Sequence, residues 1–331
     1  AGQTRPACPG AQPGSQRSPT ARCALTPSVI HFPGGPRVIG TIGAIGTKAP
    51  QPHNTRTRAM IITTTAHPRA ALIGNPSDGY NGKTIAFTFS NYLVEVQLYQ
   101  SPELEILPAS RDHSVFPSLR SLVEDVAMFG YYGGIRLIKA TLKKFSEYCA
   151  ERRIQLDDRN FTIRYRTTIP IRLGLAGSSA IISATTQALL QFYGVEMPRP
   201  VMAQFLLSVE TEELGISAGL QDRVAMSYGG LVYMDFAKEH FERQGYGVYQ
   251  PLEPSLLRNV YIAYRTNLAE GSEVLHNNMR GRYDAGDPAV HAAVHRWAEL
   301  TVEFRRVLEE TAQEFQVESP APGSQRSSGG A

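Results

Sequence analysis

Glycines, serines and other small residues are concentrated in one segment, Pro170-Ile-Arg-Leu-Gly-Leu-Ala-Gly-Ser-Ser-Ala180. The segment follows a strand-like stretch and precedes a run of small residues that is typical of a helix. A turn here would direct backbone N–H groups outward at the N-terminus of that helix, where they and the helix dipole attract phosphate. The serine hydroxyls would add hydrogen bonds or a ligand for Mg²⁺. A tight turn with a serine N-cap explains the same residues without any ligand.

Acidic residues follow in the segment Val209-Glu-Thr-Glu-Glu-Leu-Gly-Ile-Ser-Ala-Gly-Leu-Gln-Asp-Arg223. Glu210 and Glu213 are three residues apart near the end of a predicted helix, so they share a face. One of them could complete a Mg²⁺ shell, whereas an ordinary solvated helix face explains most of the glutamates. Asp222 follows a glycine-containing turn, and its carboxylate could accept or orient the proton of a substrate hydroxyl.

A third segment, Gly74-Asn-Pro-Ser-Asp-Gly-Tyr-Asn-Gly-Lys-Thr84, ends like the phosphate loop of a nucleotide-binding protein. Such a loop needs a glycine five positions before its Gly-Lys-Thr, and that position is Ser77. The following residues are rich in β-branched and aromatic side chains, which predicts a strand where the motif requires a helix. The segment is therefore interpreted as a turn between strands.

The elements that must position these segments do not alternate regularly. Apolar and β-branched stretches predict strands at Met60–Thr65, Ala70–Ile73, Thr84–Leu98, Leu104–Leu107, Phe161–Ile169, Leu231–Asp235 and Val260–Tyr264. Helical periodicity predicts helices at Ser118–Met128, Ile135–Arg152, Ser178–Tyr193 and Val201–Glu213, and one long helix or a helix pair at Ala289–Phe315. Without regular βαβ units, this order favours an α+β sandwich over a doubly wound sheet.

Charge is distributed unevenly over the 331 residues, whose formal net charge is +3. Residues 1–77 hold eight Lys and Arg and no acid, which leaves 25 basic and 30 acidic residues in the remainder. A nucleic-acid partner is not expected, because the basic footprint would belong to the folded part. No apolar run approaches the ~18 residues of a membrane span, so a membrane partner is not expected either.

Residues 1–58 are rich in Pro, Gly, Ser, Thr and Arg and lack acidic side chains. This composition predicts a disordered leader, and it also suits an organelle transit peptide. We expect a cytoplasmic protein, with a plastid or mitochondrion as the alternative if the leader is a targeting sequence. The Pro, Gly and Ser content of residues 317–331 predicts a disordered tail.

Two of the segments together resemble the motifs of the GHMP kinases, the family of galactokinase, homoserine kinase, mevalonate kinase and phosphomevalonate kinase. Pro170–Ala180 is similar to the second motif, which binds the phosphates of ATP. Arg69-Ala-Ala-Leu-Ile-Gly-Asn-Pro-Ser-Asp-Gly-Tyr80 is similar to the first motif, the sugar-binding loop. It departs from that motif at Asn75-Pro76 and by an extra Gly79 before the tyrosine.

Within the family the chain most resembles the plant-type glucuronokinases, through blocks such as Gly130-Tyr-Tyr-Gly-Gly-Ile-Arg136 and Ala218-Gly-Leu-Gln-Asp-Arg-Val224. The resemblance implies an ATP-dependent sugar 1-kinase that phosphorylates D-glucuronate at its anomeric hydroxyl. The implied partners are ATP and a small sugar acid. A weakly active or non-catalytic remnant, or a kinase for another aldose such as galactose, remains the alternative.

The resemblance also implies roles for individual residues. Asp222 would accept the proton of the sugar hydroxyl, and Arg69 would lie beside it and keep it ionised. Mg²⁺ would be held by Ser179 and by Glu210, with Glu213 as the second choice. The residues implied in ATP binding are Pro170, Gly174, Leu175, Ala176, Gly177, Ser178, Ser179 and Ala180.

For the sugar, the resemblance implies contacts in the first motif and beside Asp222. The implied residues are Asn75, Ser77, Asp78, Tyr80 and Arg223. A glucuronate carboxylate needs a cationic partner, for which Arg172 and Arg223 are the candidates because they lie near the motifs, and structural salt bridges explain both arginines equally well.

The family fold implies two domains, an N-terminal α/β sandwich at 59–245 and a C-terminal ferredoxin-like domain. Residues 246–316 would form only part of the second domain, because the glycine-rich third motif expected beyond Leu300 is missing. A truncated second domain would leave an apolar face exposed.

Overall fold

The structure is a computed structural model that describes residues 28–29, 61–109, 112, 118, 120–121, 133–171, 173–257, 260–263 and 272–318. Most of the predicted leader and tail, most of the predicted helix Ser118–Met128, and Arg172 lie outside the described residues. A short pair of strands, β1 (Ser28–Val29) and β10 (Tyr261–Ile262), is antiparallel.

One four-stranded sheet is built from β2 (Ile61–Ala66), β5 (Val94–Gln100), β7 (Phe161–Thr167) and β6 (Glu105–Leu107), in that spatial order. The β2–β5 and β5–β7 pairs are antiparallel, and β6 runs parallel to β7. Residues of β2 alternate between exposed and buried, as expected for a strand with one face on the core.

The second four-stranded sheet carries the first-motif segment. Its strands, all antiparallel to their neighbours, are β3 (Arg69–Ile73), β4 (Lys83–Thr88), β8 (Leu231–Asp235) and β9 (Val248–Leu252). Because β9 pairs with β8, this sheet extends past the predicted domain boundary at residue 245.

The prediction of a single strand at Thr84–Leu98 is wrong. The segment holds the end of β4 and the start of β5, which belong to different sheets. Residues 90–92 turn the chain between them, and Ser90-Asn91 is typical of a turn. Lys83 and Thr84 begin β4, Lys83 pairs with Asp235, and no helix follows, so the rejection of a nucleotide phosphate loop here is confirmed.

Seven helices are described. They are α1 (Gly134–Glu151), α2 (Gly177–Tyr193), α3 (Arg199–Ser208), α4 (Gln221–Tyr228), α5 (Lys238–Gln244), α6 (Ser272–Asp284) and α7 (Pro288–Glu318). Helix α2 is buried on most of its circumference, which explains its small residues: Ala180, Ser183 and Ala184 all lie in the core at 0% exposure. The two sheets and the helices packed on them confirm the predicted α+β class.

Helices α6 and α7 pack on the first-motif segment. Tyr80, Val290 and Val294 form a small buried cluster, against which Met279, Tyr283 and Trp297 pack. Farther along α7, the fully buried Thr301 hydroxyl lies 3.1 Å from the Lys83 carbonyl oxygen in β4. The long predicted helix at Ala289–Phe315 is therefore present as α7, and it contacts the sheet that carries the first motif.

A search for membrane-crossing helices among the described residues finds none with the required length and apolar character.

Candidate active site

The glycine-serine segment forms a turn that leads directly into α2. Ala176 precedes the helix in the left-handed conformation, with φ 56°, and Gly174 has φ 70°. No side chain of the described residues caps the first turn of α2, so its backbone N–H groups are available to an acceptor. The alternative of a serine N-cap is wrong, because Ala176 occupies the N-cap position.

The predicted ATP-binding residues form one unit around this turn. Leu175 and Ala180 are buried in the core, while Pro170, Gly177 and Ser178 are partly exposed. Leu175 and Ala180 therefore anchor the turn, and only their backbone groups are placed to contact a phosphate. A left-handed alanine is uncommon outside functional turns, and the buried neighbours hold it in place.

Ser179 connects the turn to the acidic segment. Its hydroxyl donates to Glu210 Oε2 over 3.3 Å, and each residue is only 2% exposed. Glu210 lies in a π-helical segment, Val209–Glu213, that continues α3. The predicted helix at Val201–Glu213 therefore changes its winding at Val209, as π-helical turns often do at functional sites.

Arg223 does not occupy the predicted substrate position. It is 4% exposed, its Nη2 pairs with Glu210 Oε2, and its Nη1 donates to the Gly219 carbonyl oxygen over 2.7 Å. Nη1 also lies 3.4 Å from Asp222 Oδ2. Burial and then the charge of Arg69 lower the pKa of Arg223 to about 9, which leaves the guanidinium protonated at neutral pH. Arg223 thus links the carboxylates of Glu210 and Asp222, and its burial prevents contact with a substrate.

Asp222 lies in the first turn of α4 and is held by Arg69 of β3. Nε and Nη2 of Arg69 each lie 2.5 Å from Asp222 Oδ1, as the family resemblance implied. Arg69 Nη1 donates to the Gly174 carbonyl oxygen over 3.1 Å. The side chains of Arg69 and Asp222 are 13% and 17% exposed, so the ion pair is mostly buried but one edge of it is accessible to a ligand.

These contacts form a closed polar ring, defined as Ser179, Glu210, Arg223, Asp222 and Arg69. It begins at the glycine-serine turn with Ser179 and returns to that turn through the bond from Arg69 to Gly174. The carboxylate of Asp222 is therefore fixed relative to the α2 N-terminus by ion pairs on both of its oxygens.

Asp78 lies beside the polar ring, in a 3-10 turn at Ser77–Tyr80. Its Oδ2 accepts the backbone N–H of Gln221 over 3.0 Å and so caps α4 from the first motif. A side chain at Gly219 would overlap the Asp78 carboxylate, which explains the glycine at that position. Burial raises the pKa of the Asp78 carboxyl, and the negative charge of Asp222 raises it further. The hydrogen bond from the Gln221 N–H and the charges of Arg69 and Arg223 lower it by less.

We expect Asp78→Asn to stabilise the protein at neutral pH. A carboxyl whose folded pKa exceeds its unfolded value of 3.8 contributes stability at low pH, which is lost as pH rises through the folded pKa. Asparagine keeps an oxygen acceptor for the Gln221 N–H without carrying a charge. The gain in free energy of unfolding should therefore shrink as pH falls toward 3.8. Urea unfolding across this pH range measures the effect.

The matched control for this prediction is Asp287→Asn. The hydrogen bond from Arg282 lowers the pKa of the partly exposed Asp287, so that variant should lose stability at neutral pH and the loss should fade in acid. If the free energies of unfolding of Asp78→Asn and the unmodified chain differ by the same amount at every pH, the expectation is contradicted.

Three other predicted sugar contacts are placed differently. Ser77 is fully buried and its hydroxyl donates to the Lys83 carbonyl oxygen over 2.9 Å, so it stabilises the turn and does not reach a ligand. Tyr80 is 5% exposed, and its ring packs against Tyr283 at a centroid distance of 4.7 Å. Asn75 is exposed beside the turn. Asp78 is therefore the best-placed sugar ligand of the predicted set.

The residues predicted to hold Mg²⁺ fit that ion chemically. Ser179 and Glu210 supply a hydroxyl and a carboxylate oxygen, which are hard donors, at a hydrogen-bond separation beside the turn. The described residues contain no cluster of three or more acidic, His or Cys ligands. Mg²⁺ commonly uses one or two protein ligands together with substrate phosphates, so the pair suffices.

Glu213, the second choice for Mg²⁺, faces elsewhere. It pairs with Lys143 of α1, and both residues line a separate cleft of about 420 Å³. Since this cleft contains none of the polar ring, Glu210 is the better candidate for the ion.

Two residues near the site are given no role by the sequence analysis. The Gln221 side-chain amide is buried beside Asp222 without a hydrogen-bond partner among the described residues. Arg280 of α6 donates from Nη2 to the Gly79 carbonyl oxygen over 2.7 Å. Arg280 is about two hundred positions away from the loop it contacts, and only the packing of α6 reveals the contact.

Comparison with known proteins identifies the family. Residues 136–230 match the GHMP kinases N terminal domain. Glucuronokinase 1 of Arabidopsis thaliana is 43% identical over 243 residues, covering 72% of this chain and 67% of that protein. Probable glucuronokinase 2 of the same plant is 44% identical over 243 residues, covering 72% and 66%. The chain belongs to the GHMP kinase family.

A solved structure supports the fold. The crystal structure of a Lin0012 protein from Listeria innocua aligns with a TM-score of 0.58 at 11% identity, covering 77% of this chain and 74% of that one. At this identity the likeness concerns the fold alone. The chain spans about two thirds of the length of the two curated relatives named above.

Proposed function

We propose that the protein catalyses transfer of the γ-phosphoryl group of ATP to the anomeric hydroxyl of D-glucuronate. The observation that carries the proposal is Asp222, whose carboxylate is held by Arg69 at 2.5 Å and tied by Arg69 to the uncapped N-terminus of α2. The 43% and 44% identities to the two Arabidopsis proteins support the choice of sugar.

In the proposed reaction, ATP phosphates accept hydrogen bonds from the first-turn N–H groups of α2. Ser179 and Glu210 would hold Mg²⁺, which supplies positive charge to the phosphates when bound. Arg223 already supplies a buried positive charge to Glu210, so this carboxylate is oriented before the ion arrives.

Asp222 accepts the proton of the anomeric hydroxyl while the anomeric oxygen of the sugar bonds to the γ-phosphorus. ADP leaves with the electrons of the broken P–O bond. Arg69 keeps the carboxylate in place and lies next to the turn that binds the phosphates. Asp78 uses Oδ2 for Gln221 and would offer its other oxygen to sugar hydroxyls. Phosphoryl transfer depends mainly on such positioning and charge, which this arrangement provides.

A substrate panel tests the choice of sugar. Purified protein with ATP and Mg²⁺ is assayed on D-glucuronate, D-galacturonate, D-glucose and D-galactose, and kcat/KM is compared. The proposal expects D-glucuronate to exceed the neutral hexoses by at least about tenfold, since a buried or partly buried charge contact discriminates by that order. A clear preference for galactose would contradict it, and no turnover with any sugar would favour an inactive chain.

A further inference from the structure

A sugar acid differs from a neutral hexose by one carboxylate, and the cations around Asp222 in the described part of the chain are already paired. Arg223 is buried and engaged by Glu210, Gly219 and Asp222. Arg69 is engaged by Asp222 and Gly174, and Lys83 is paired with Asp235. The other predicted candidate, Arg172, lies outside the described residues.

Arg280 is differently placed. It is exposed on α6, its guanidinium carbon lies 4.5 Å above the centre of the Tyr80 ring, and Nη2 donates to the Gly79 carbonyl oxygen over 2.7 Å. Among the described residues the structure pairs it with no carboxylate, and Nε and Nη1 have no acceptor there. A guanidinium in this state presents parallel N–H donors, the geometry that a carboxylate accepts.

The location of Arg280 relative to Asp222 follows from two hydrogen bonds. Arg280 is anchored to Gly79, the residue after Asp78. Asp78 in turn binds the backbone of Gln221, the residue before Asp222. Asp78 therefore connects the loop that anchors Arg280 to the first turn of α4, which carries Asp222. The charges of Arg280 and Asp78 also both act on the Tyr80 hydroxyl, whose pKa is raised first by burial and lowered by Arg280.

We propose that Arg280 binds the carboxylate of the sugar acid and thereby determines the preference for a uronic acid over a neutral hexose, a proposal that rests on the function proposed above. In a hexuronate, the carboxylate is carried on the carbon that flanks the ring oxygen on the side away from the anomeric carbon. A sugar with its anomeric hydroxyl at Asp222 and another hydroxyl at Asp78 would lie next to the loop to which Arg280 is anchored, so Arg280 is the candidate cation for its carboxylate.

The extra glycine in the first motif fits this role. A Cβ at Gly79 would lie 3.3 Å from Arg280 Nη2, closer than an ordinary contact, so a methyl group there would shift the guanidinium by a few tenths of an ångström. Gly79 is one of the positions at which the loop departs from the family pattern, and its lack of a side chain leaves room for the Arg280 guanidinium. Helices α6 and α7 keep Arg280 in this position through the buried cluster around Tyr80.

The test measures binding of D-glucuronate and of its neutral analogue D-glucuronamide by calorimetry, for the unmodified chain, Arg280→Gln and Arg280→Lys. We expect Arg280→Gln to weaken glucuronate binding by about 10- to 100-fold and to leave glucuronamide binding unchanged, because it removes a charge-assisted contact. Arg280→Lys should retain part of the preference, since it keeps the charge and loses the paired geometry. Gly79→Ala should weaken glucuronate in the same direction.

Arg282→Gln is the matched control, because Arg282 lies two residues away on the same helix and pairs with Asp287 at 2.8 Å. It should change neither affinity. Equal loss of both ligands in Arg280→Gln would indicate a structural role over Tyr80 and overturn the proposal. Unchanged glucuronate affinity, or an unmodified chain that binds the two ligands equally, would also overturn it.

Turnover of the unmodified chain is measured in parallel and decides a different question. Glucuronate binding that depends on Arg280 without any ATP consumption would contradict the proposed reaction and leave the carboxylate site standing. Glucuronate turnover that is indifferent to Arg280 would contradict the carboxylate site alone.

Discussion

Asp222→Asn should lower kcat with D-glucuronate by about a thousandfold. Removal of a positioned general base costs on the order of 10²- to 10⁴-fold, and asparagine cannot accept the proton of the sugar hydroxyl. The same change leaves Arg69 without its ion pair at 2.5 Å, so the contact between β3 and α4 weakens as well. Steady-state kinetics with a coupled ADP assay measures the loss, and the KM for ATP should change little.

Asp157→Asn is a suitable control for this variant. Asp157 is also held by an arginine, Arg159, but on the surface and outside the polar ring. It should retain the turnover of the unmodified chain. If Asp222→Asn keeps kcat within tenfold of the unmodified chain while remaining folded, Asp222 is not the base.

Glu210→Gln should destabilise the fold by about 3 kcal/mol, because it removes the closer of the two carboxylates from the buried guanidinium of Arg223 and leaves only Asp222 at 3.4 Å. Glu210 and Arg223 are 2% and 4% exposed, so solvent cannot replace the lost interaction. The variant should also require more Mg²⁺ for activity. Denaturant unfolding monitored by far-UV circular dichroism gives the stability, and a Mg²⁺ titration of turnover gives the second effect.

The double variant Glu210→Gln with Arg223→Met separates the two contributions. Replacing both members of a buried ion pair is far less costly than removing one, so the double variant should recover much of the lost stability. It should not recover the lost response to Mg²⁺. A loss below about 1 kcal/mol for Glu210→Gln alone, the order of an exposed pair, would contradict the burial of this contact.

Much of the site could be predicted because its residues lie in short motifs. Asp222, Ser179 and Glu210 were selected by residue type and by the resemblance, and the structure brings them into one ring with Arg69. A motif specifies which residue types occur, but it does not specify which way each side chain faces. For this reason Ser77 and Arg223 were assigned to the sugar although burial closes both to it.

Arg280 illustrates what residue patterns leave out. Nothing around it in the sequence resembles a motif, and its contact with Gly79 depends on how α6 packs on a segment about two hundred residues earlier. Likewise, the strand pattern of Thr84–Leu98 continues across Ser90-Asn91, and only the pairing of β4 and β5 with different partners shows the turn. Long elements with a strong period, such as α1 and α7, were predicted nearly to their ends.

Identification of the product tests directly whether Asp222 serves the anomeric hydroxyl. Purified protein is incubated with ATP, Mg²⁺ and D-glucuronate, and the reaction is followed by ³¹P NMR beside the Asp222→Asn variant. We expect ADP and an equal amount of a sugar phosphate whose phosphorus couples to the anomeric proton, with none formed by the variant. Phosphate on any other hydroxyl, or equal product from the variant, would contradict the assignment of Asp222 to the anomeric hydroxyl.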